Sequence, residues 1–223
     1  MARCVVRTRR FGLKKNGRCA QRGSRVHAPL AAGRRTRHTR GEMTRAVFLD
    51  RDGTLIEDRD YLSRPEEVVV YPGAPGALVR LQERGLKLFI ITNQSGVGRG
   101  YFTLKDVEKV HERLIGEFAG VHFQKIYVAP EAPDQPSRGR KPSPQFLFDA
   151  RDEFGISLAD SYVIGDKLID LECGWNAGVK KCLLVRTGYG AKVETEHAGG
   201  LKRAIIVDTL AAAVEWILND QQR

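Results

Sequence analysis

Cysteine is scarce in this 223-residue chain, and its four thiols (Cys4, Cys19, Cys173 and Cys182) form no C-x-x-C pair. That argues against both a disulfide framework and a structural zinc site, and it fits a reducing, cytoplasmic setting. Long apolar runs are also missing. No stretch approaches the roughly 20 residues that span a bilayer, and the N-terminus lacks the apolar core of a secretory signal. Acids are nearly absent from the first 42 residues, where 13 Lys/Arg face Glu42 alone. The net charge of +10 therefore resides in the tail, because residues 43–223 have 24 basic and 26 acidic side chains. A strongly basic surface that would draw nucleic acid is confined to that tail.

Residues 1–42 have almost no apolar periodicity and cannot bury enough side chain to offset their ordering entropy, so they are expected to be a disordered basic extension. The extension reads as a solvated arm, or as the product of a start set too far upstream, with Met43 the expected start. An Arg-rich targeting or nucleic-acid-binding arm is the alternative. From residue 43 to 223 the chain has the length and pattern of one α/β domain.

Within that domain short apolar runs alternate with helical spacing. Ala46–Asp50, Leu86–Thr92, Lys125–Val128, Tyr162–Gly165, Cys182–Arg186 and Ala204–Val207 read as strands. Helices are expected over Gly73–Gly85, from an N-cap at Thr103 to about Ala119, over Pro144–Phe154, over Leu168–Ala177 and over Thr209–Asn219. The alternation implies a three-layer, doubly wound parallel sheet with helices on both faces, in which ligands bind at the carboxyl ends of the strands.

Four polar clusters fall at such places. Asp50-Arg51-Asp52-Gly53-Thr54 ends the first strand with two carboxylates two residues apart. One can attack while the other gives and takes a proton. An ordinary Asp-Gly turn explains the same residues more plainly. Thr92-Asn93-Gln94-Ser95-Gly96 offers a hydroxyl and loop N–H groups for phosphate oxygens; alone, a polar loop suffices. Lys141, in Arg140-Lys141-Pro142, precedes a helix whose dipole prefers anions, so it makes more sense if it neutralises a phosphate; alone, a solvated basic pair suffices. Asp166 and Asp170 open a helix, where acids suit the dipole. Their oxygens also suit Mg²⁺.

Taken in order, these clusters resemble the four motifs of the haloacid dehalogenase superfamily, over essentially all of 43–223. An acid at Asp52 implies phosphatase or phosphomutase chemistry. About 37 residues separate Thr54 from Thr92, too few for a cap domain, so a capless form is expected. The finer pattern adds Asp60-Tyr61, the run Thr92–Gly100, Gly165-Asp166-Lys167 and Leu184–Gly188. It resembles the D,D-heptose 1,7-bisphosphate 7-phosphatase family, a sister of histidinol-phosphate phosphatase.

That resemblance implies Asp50 as nucleophile, Asp52 as general acid/base, and Thr92 and Lys141 as holders of the transferring phosphoryl group. Mg²⁺ would sit on the Asp50 and Asp166 carboxylates and the Asp52 backbone carbonyl, with Asp170 in the layer behind. Asp58, Arg59, Asp60, Tyr61, Asn93, Gln94, Ser95, Arg140 and Lys167 fall where the family contacts substrate, Arg140 and Lys167 suiting a second phosphate. The family's zinc loop, patterned C-x-H…C-x-C, is replaced here by Ala129, Glu131, Ser137 and Gly139, so no zinc is expected. The implied protein is a monomer acting on a small sugar phosphate in surface-polysaccharide synthesis, with no membrane partner. Rival readings are a histidinol-phosphate phosphatase, a nucleic-acid 3′-phosphatase, and an inactive nucleic-acid-binding or scaffold protein. His111 and His122 are expected on the surface or on a helix face, and Trp175 and Trp216 in packing.

Overall fold

The computed structural model describes residues 44–201 and 203–222, so the expected disordered tail lies outside the described residues. Six strands form one parallel sheet: β1 (Ala46–Leu49), β2 (Lys87–Asn93), β3 (Phe123–Ala129), β4 (Tyr162–Gly165), β5 (Lys181–Val185) and β6 (Ala204–Val207). Among the described residues seven α-helices accompany them: α1 (Ala74–Glu83), α2 (Ser95–Gly98), α3 (Leu104–Glu117), α4 (Gln145–Phe154), α5 (Leu168–Ala177), α6 (Gly190–Glu196) and α7 (Leu210–Asp220).

The strands are apolar on both faces, and the period of two divides them between two cores. Val47, Leu49, Leu88 and Ile90 turn to one side, where α1, α3 and α7 cover them with Leu78, Leu81, Leu114, Val214 and Ile217. Ala46, Phe48, Phe89 and Ile91 turn to the other, against Leu147 of α4, Leu171 of α5 and Val193 of α6. Both faces of β1, β2, β4 and β5 are buried, which is why these strands read as apolar runs rather than as alternations.

Strand order is β3-β2-β1-β4-β5-β6. The chain winds outward from β1 in one direction, then returns and winds outward from β4 in the other. The crevice of such a sheet opens where the order reverses, at the carboxyl ends of β1 and β4. Pairing between these strands continues to the rim, where Asp50 N–H donates to Ile164 O at 3.0 Å. Between β1 and β2 the chain forms a loop, a 3₁₀ turn at Pro65–Glu67 and α1; between β2 and β3, only α2 and α3. Among the described residues neither interval holds a separate cap.

Two helices depart from the sequence reading. Ser95–Gly98, expected as loop, is a single helical turn, and Gly190–Glu196 was not expected at all. The first holds two glycines and the second buries only Gly190 and Val193, so neither offers the repeated apolar spacing that marks a helix in sequence.

Candidate active site

Asp50 and Asp52 leave the end of β1, Thr92 stands at the end of β2, and Asp166 follows β4 directly. Asp50, Asp166 and Asp170 each bring a carboxylate oxygen within 4.8 Å of the others, and all three are buried. Lys141 enters from the loop before α4. Its ammonium donates to Asp50 Oδ1 and, at 2.8 Å, to Ile91 O, and stands 2.7 Å from Asp170 Oδ1. Burial alone would strip the Lys141 proton, but the Asp170 and Asp50 charges outweigh it and hold the ammonium well above its ordinary range.

Among the described residues Lys141 is the one cation in ion-pair contact with these three acids. Burial, then the charge of Asp170, push Asp50 up to about 6 against the pull of Lys141. Burial and the charges of Asp50 and Asp170 push Asp166 up to about 8. Asp166 Oδ2 accepts from Tyr189 N–H at 2.8 Å, whereas its Oδ1 is buried without a partner. A buried carboxylate oxygen left over beside a second carboxylate is the donor set a hard divalent cation takes. Space for Asp166 is made by glycine: a Cβ on Gly53 or on Gly188 would overlap Asp166 Oδ2, and both have positive φ, 84° and 56°.

Asp52 is held differently. Arg51 embraces it with Nε to Oδ2 at 2.9 Å and Nη2 to Oδ1 at 3.0 Å, and Gln94 Nε2 donates to Oδ2 at 3.1 Å. Burial works to raise its pKa, yet Arg51 and Gln94 prevail and keep the carboxyl below the usual range. Gln94 Nε2 also reaches Thr92 Oγ1 at 2.7 Å, so it ties the two motifs together. Asn93, expected among substrate contacts, brackets the Lys141 backbone: its Oδ1 accepts from Lys141 N–H at 3.0 Å and its Nδ2 donates to Lys141 O at 3.2 Å.

A cleft of about 220 Å³ opens beside these groups, lined by Asp52, Asp58, Arg59, Asp60, Tyr61, Asn93, Gln94, Ser95, Lys167 and Tyr189 among others. Arg140 and Lys141 join Asp50, Asp52, Ser95, Lys167 and Asp170 around an adjoining hollow. All the expected site residues are thus gathered at one end of the sheet. Lys167 donates to Asp58 Oδ2 at 2.7 Å and lies over the Tyr189 ring, 4.8 Å from its centroid. Although burial opposes it, the charges of Asp50, Asp166 and Asp58 hold Lys167 above its ordinary range.

The family described as HAD-hydrolase-like matches residues 139–213. The D-glycero-beta-D-manno-heptose-1,7-bisphosphate 7-phosphatase of Helicobacter pylori (strain J99) is 41% identical over 177 residues, covering 78% of this chain and 97% of that protein. The D-glycero-D-manno-heptose-1,7-bisphosphate 7-phosphatase of Chlorobaculum tepidum is 40% identical, covering 79% of this chain and 96% of its own. This chain belongs to the heptose-bisphosphate phosphatase family. A crystal structure of D,D-heptose 1,7-bisphosphate phosphatase from B. bronchiseptica, complexed with magnesium and phosphate, matches with a TM-score of 0.73 at 32% identity. The match covers 79% of this chain and 99% of that one.

Where the family's zinc loop is expected, this phosphatase closes residues 130–140 with hydrogen bonds. Ser137 Oγ donates to Glu131 Oε2 at 2.6 Å and accepts from Arg140 N–H at 3.2 Å, while Arg140 Nη1 donates to Glu131 O at 3.1 Å. The loop is pinned to α2 by Gly98 N–H, which donates to Pro130 O at 2.8 Å. The replacements at Glu131 and Ser137 therefore bond to each other and seat Arg140.

Sequence reasoning missed three residues of the site. Tyr189 supplies a backbone donor and an aromatic wall, but no spacing signals it. Arg51, the middle residue of D-x-D, is 1% exposed and grips Asp52. His111 lies on the buried face of α3, 8% exposed, with Nε2 3.2 Å from Arg51 Nη1. It is therefore on the inner helix face rather than the surface, whereas His122 is exposed. Burial and the Arg51 charge push His111 down to about 4.

Proposed function

We propose that this phosphatase hydrolyses the C7 phosphate of D-glycero-D-manno-heptose 1,7-bisphosphate through an aspartyl-phosphate on Asp50, with Mg²⁺ as cofactor. The observation that carries the reading is the buried trio Asp50, Asp166 and Asp170, with one Lys141 ammonium against two of its members. A nucleophilic carboxylate approaching a phosphate dianion faces like-charge repulsion. Lys141 supplies counter-charge on one side of Asp50, and a cation held by Asp50 and Asp166 would supply it on the other.

Asp50 Oδ attacks phosphorus as the bond from phosphorus to the sugar oxygen breaks, and Asp52 gives that oxygen its proton. Water then attacks the aspartyl-phosphate, Asp52 takes the water's proton, and the Asp50–phosphorus bond breaks to release phosphate and the Asp50 carboxylate. In the free protein Arg51 and Gln94 keep Asp52 ionised, the form that the second step requires. The first step draws on a proton taken up as substrate binds. Thr92 Oγ and Lys141 Nζ hold the phosphoryl oxygens. Asp170 and Asn93 hold Lys141. The Asp50 and Asp166 carboxylates and the Asp52 carbonyl would hold Mg²⁺, whose chemistry is to offset phosphoryl charge. The unpartnered Asp166 oxygen supports that assignment.

Arg140 and Lys167 give the cleft two cations for the second phosphate, and Asp58, Asp60, Ser95 and Tyr61 offer acceptors and donors to the sugar hydroxyls. Lys167 retains donors beyond the one given to Asp58. The loop at 130–140 has no Cys or His, so the reading includes no zinc. A monomer in the cytoplasm, with 43–223 as the phosphatase domain and the basic tail dispensable, completes the reading.

The test is phosphate release, with Mg²⁺, from both anomers of heptose 1,7-bisphosphate, histidinol phosphate and a 3′-phosphorylated oligonucleotide. Full-length protein, residues 43–223 and Asp50→Asn are compared. Preference for the bisphosphate, equal in both lengths and lost in Asp50→Asn, is expected. Preference for histidinol phosphate or the oligonucleotide overturns the substrate while leaving the chemistry; silence on every substrate overturns the reading.

A further inference from the structure

A guanidinium removed from water must have all its charge and most of its donors answered. Arg51 is among the largest fully buried side chains of the protein. One edge, Nε with Nη2, faces Asp52; the other, Nη1, faces His111 across 60 positions of sequence. Arginine has no acceptor, so the bond between Nη1 and His111 fixes the imidazole: Nε2 accepts, and the ring is neutral with its proton on Nδ1. Asp52 is thus the end of a chain His111–Arg51–Asp52, with Gln94 bracing Oδ2, the oxygen that Arg51 Nε also holds. Nothing in the phosphoryl-transfer chemistry itself calls on His111.

We infer that His111 is a positioning residue: by accepting from Arg51 it fixes the guanidinium that holds the Asp52 carboxylate in place for proton transfer to the leaving oxygen and from the attacking water. The inference rests on the proposed roles of Asp50 and Asp52. Without the Nε2 acceptor, Nη1 is a buried donor with no partner. The guanidinium turns to satisfy it and carries Asp52 along. A shift of about 1 Å in a proton-transferring group costs far more rate than binding.

Leaving-group chemistry separates this role from a merely structural one. A sugar alkoxide needs a proton to leave, whereas p-nitrophenolate does not. His111→Leu removes the acceptor at similar volume; His111→Gln keeps an acceptor on a chain that still reaches Arg51. On heptose 1,7-bisphosphate, His111→Leu is expected to lower kcat about tenfold or more, with KM held within about twofold. On p-nitrophenyl phosphate its first turnover stays near the wild-type rate. The aspartyl-phosphate then hydrolyses slowly, so a burst of nitrophenolate appears that the wild type lacks. His111→Gln recovers most of kcat and abolishes the burst. Equal losses on both esters in the first turnover, a change in KM alone, or no change overturns the inference while the wild type remains active. A wild type inert toward every ester overturns the proposed function, and this inference with it. Should His111→Leu not purify folded, His111→Asn, whose shorter amide does not reach Nη1, serves in its place under the same criteria.

Discussion

Asp50 and Asp52 are two residues apart and share one rim of the sheet, yet their surroundings push them in opposite directions. Burial and Asp170 raise Asp50 to about 6, while Arg51 and Gln94 keep Asp52 low despite its own burial. What touches them sets two like carboxylates apart, as the proposed division between nucleophile and proton carrier requires. The division makes a prediction for Asp52→Asn. The amide cannot exchange a proton, so kcat should fall about 10²–10⁴-fold. Magnesium affinity, measured by titration calorimetry, should stay close to wild type, because the expected metal contact of residue 52 is its backbone carbonyl. A large loss of magnesium binding would sink that assignment. The placement of these residues is legible in the sequence, since D-x-D, Thr92 and Asp166 are expected and found at strand ends and Lys141 just before a helix; their roles are implied only by the family resemblance. His111 is not legible there. Its meaning lies in an Arg51 sixty positions away, and no periodicity in α3 distinguishes a histidine that answers a guanidinium from one that fills a core.

At the scale of elements, boundaries were readable where physics marks them locally. Tyr162–Gly165, Leu168–Ala177 and Ala204–Val207 have the same bounds in sequence and structure, the first beginning after a polar loop and the second closed by Gly178 in the left-handed conformation. Thr103 caps α3 as expected: its Oγ1 accepts from Asp106 N–H at 3.3 Å, and Asp106 Oδ2 accepts from Thr103 N–H at 3.0 Å, a reciprocal capping box. The hydroxyl and backbone bonds of Thr103, with help from Lys109, lower Asp106 to about 2. A lowered carboxyl contributes stability that is present above its unfolded pKa and lost as pH falls through about 2. Removing the Thr103 cap, Thr103→Ala should cost about 1 kcal/mol, lowering Tm by about 2–4 °C at neutral pH in thermal denaturation. An unchanged Tm would show that tertiary packing alone holds the N-terminus of α3. The short helices α2 and α6 were illegible for the opposite reason: their conformation follows from the loops they join rather than from a repeated apolar face.

For the whole molecule, the raised carboxylates make the free protein's stability depend on pH with a definite sign. Asp50 and Asp166 bind protons more tightly folded than unfolded, so their contribution is full below the ordinary carboxylate pKa and is lost as pH rises through about 6 and about 8. A divalent cation takes the place of those protons, and its affinity grows as they leave. Magnesium should accordingly raise Tm more at about pH 8 than at about pH 5, a difference that differential scanning calorimetry reads directly. An equal increment at both values would place the ion elsewhere. Among the described residues no helix is long and apolar enough to cross a membrane. The sheet order itself was implied only as parallel and doubly wound; that β1 and β4 are neighbours emerges from the fold.

That neighbourhood has a consequence for how the protein is made. Among the described strands β1 is the first to be synthesised and lies at the centre of the sheet, but one of its flanks is filled only by β4. The bond from Ala46 N–H to Ser161 Oγ, at 2.9 Å, joins residues 115 positions apart. At ordinary elongation rates the interval is on the order of ten seconds. Throughout it, Ala46–Leu49 is an apolar strand with an open edge, able to pair with whatever strand arrives first. The arrangement that sets Asp50 in the middle of the sheet thus leaves one edge of its supporting strand open until β4 has been made.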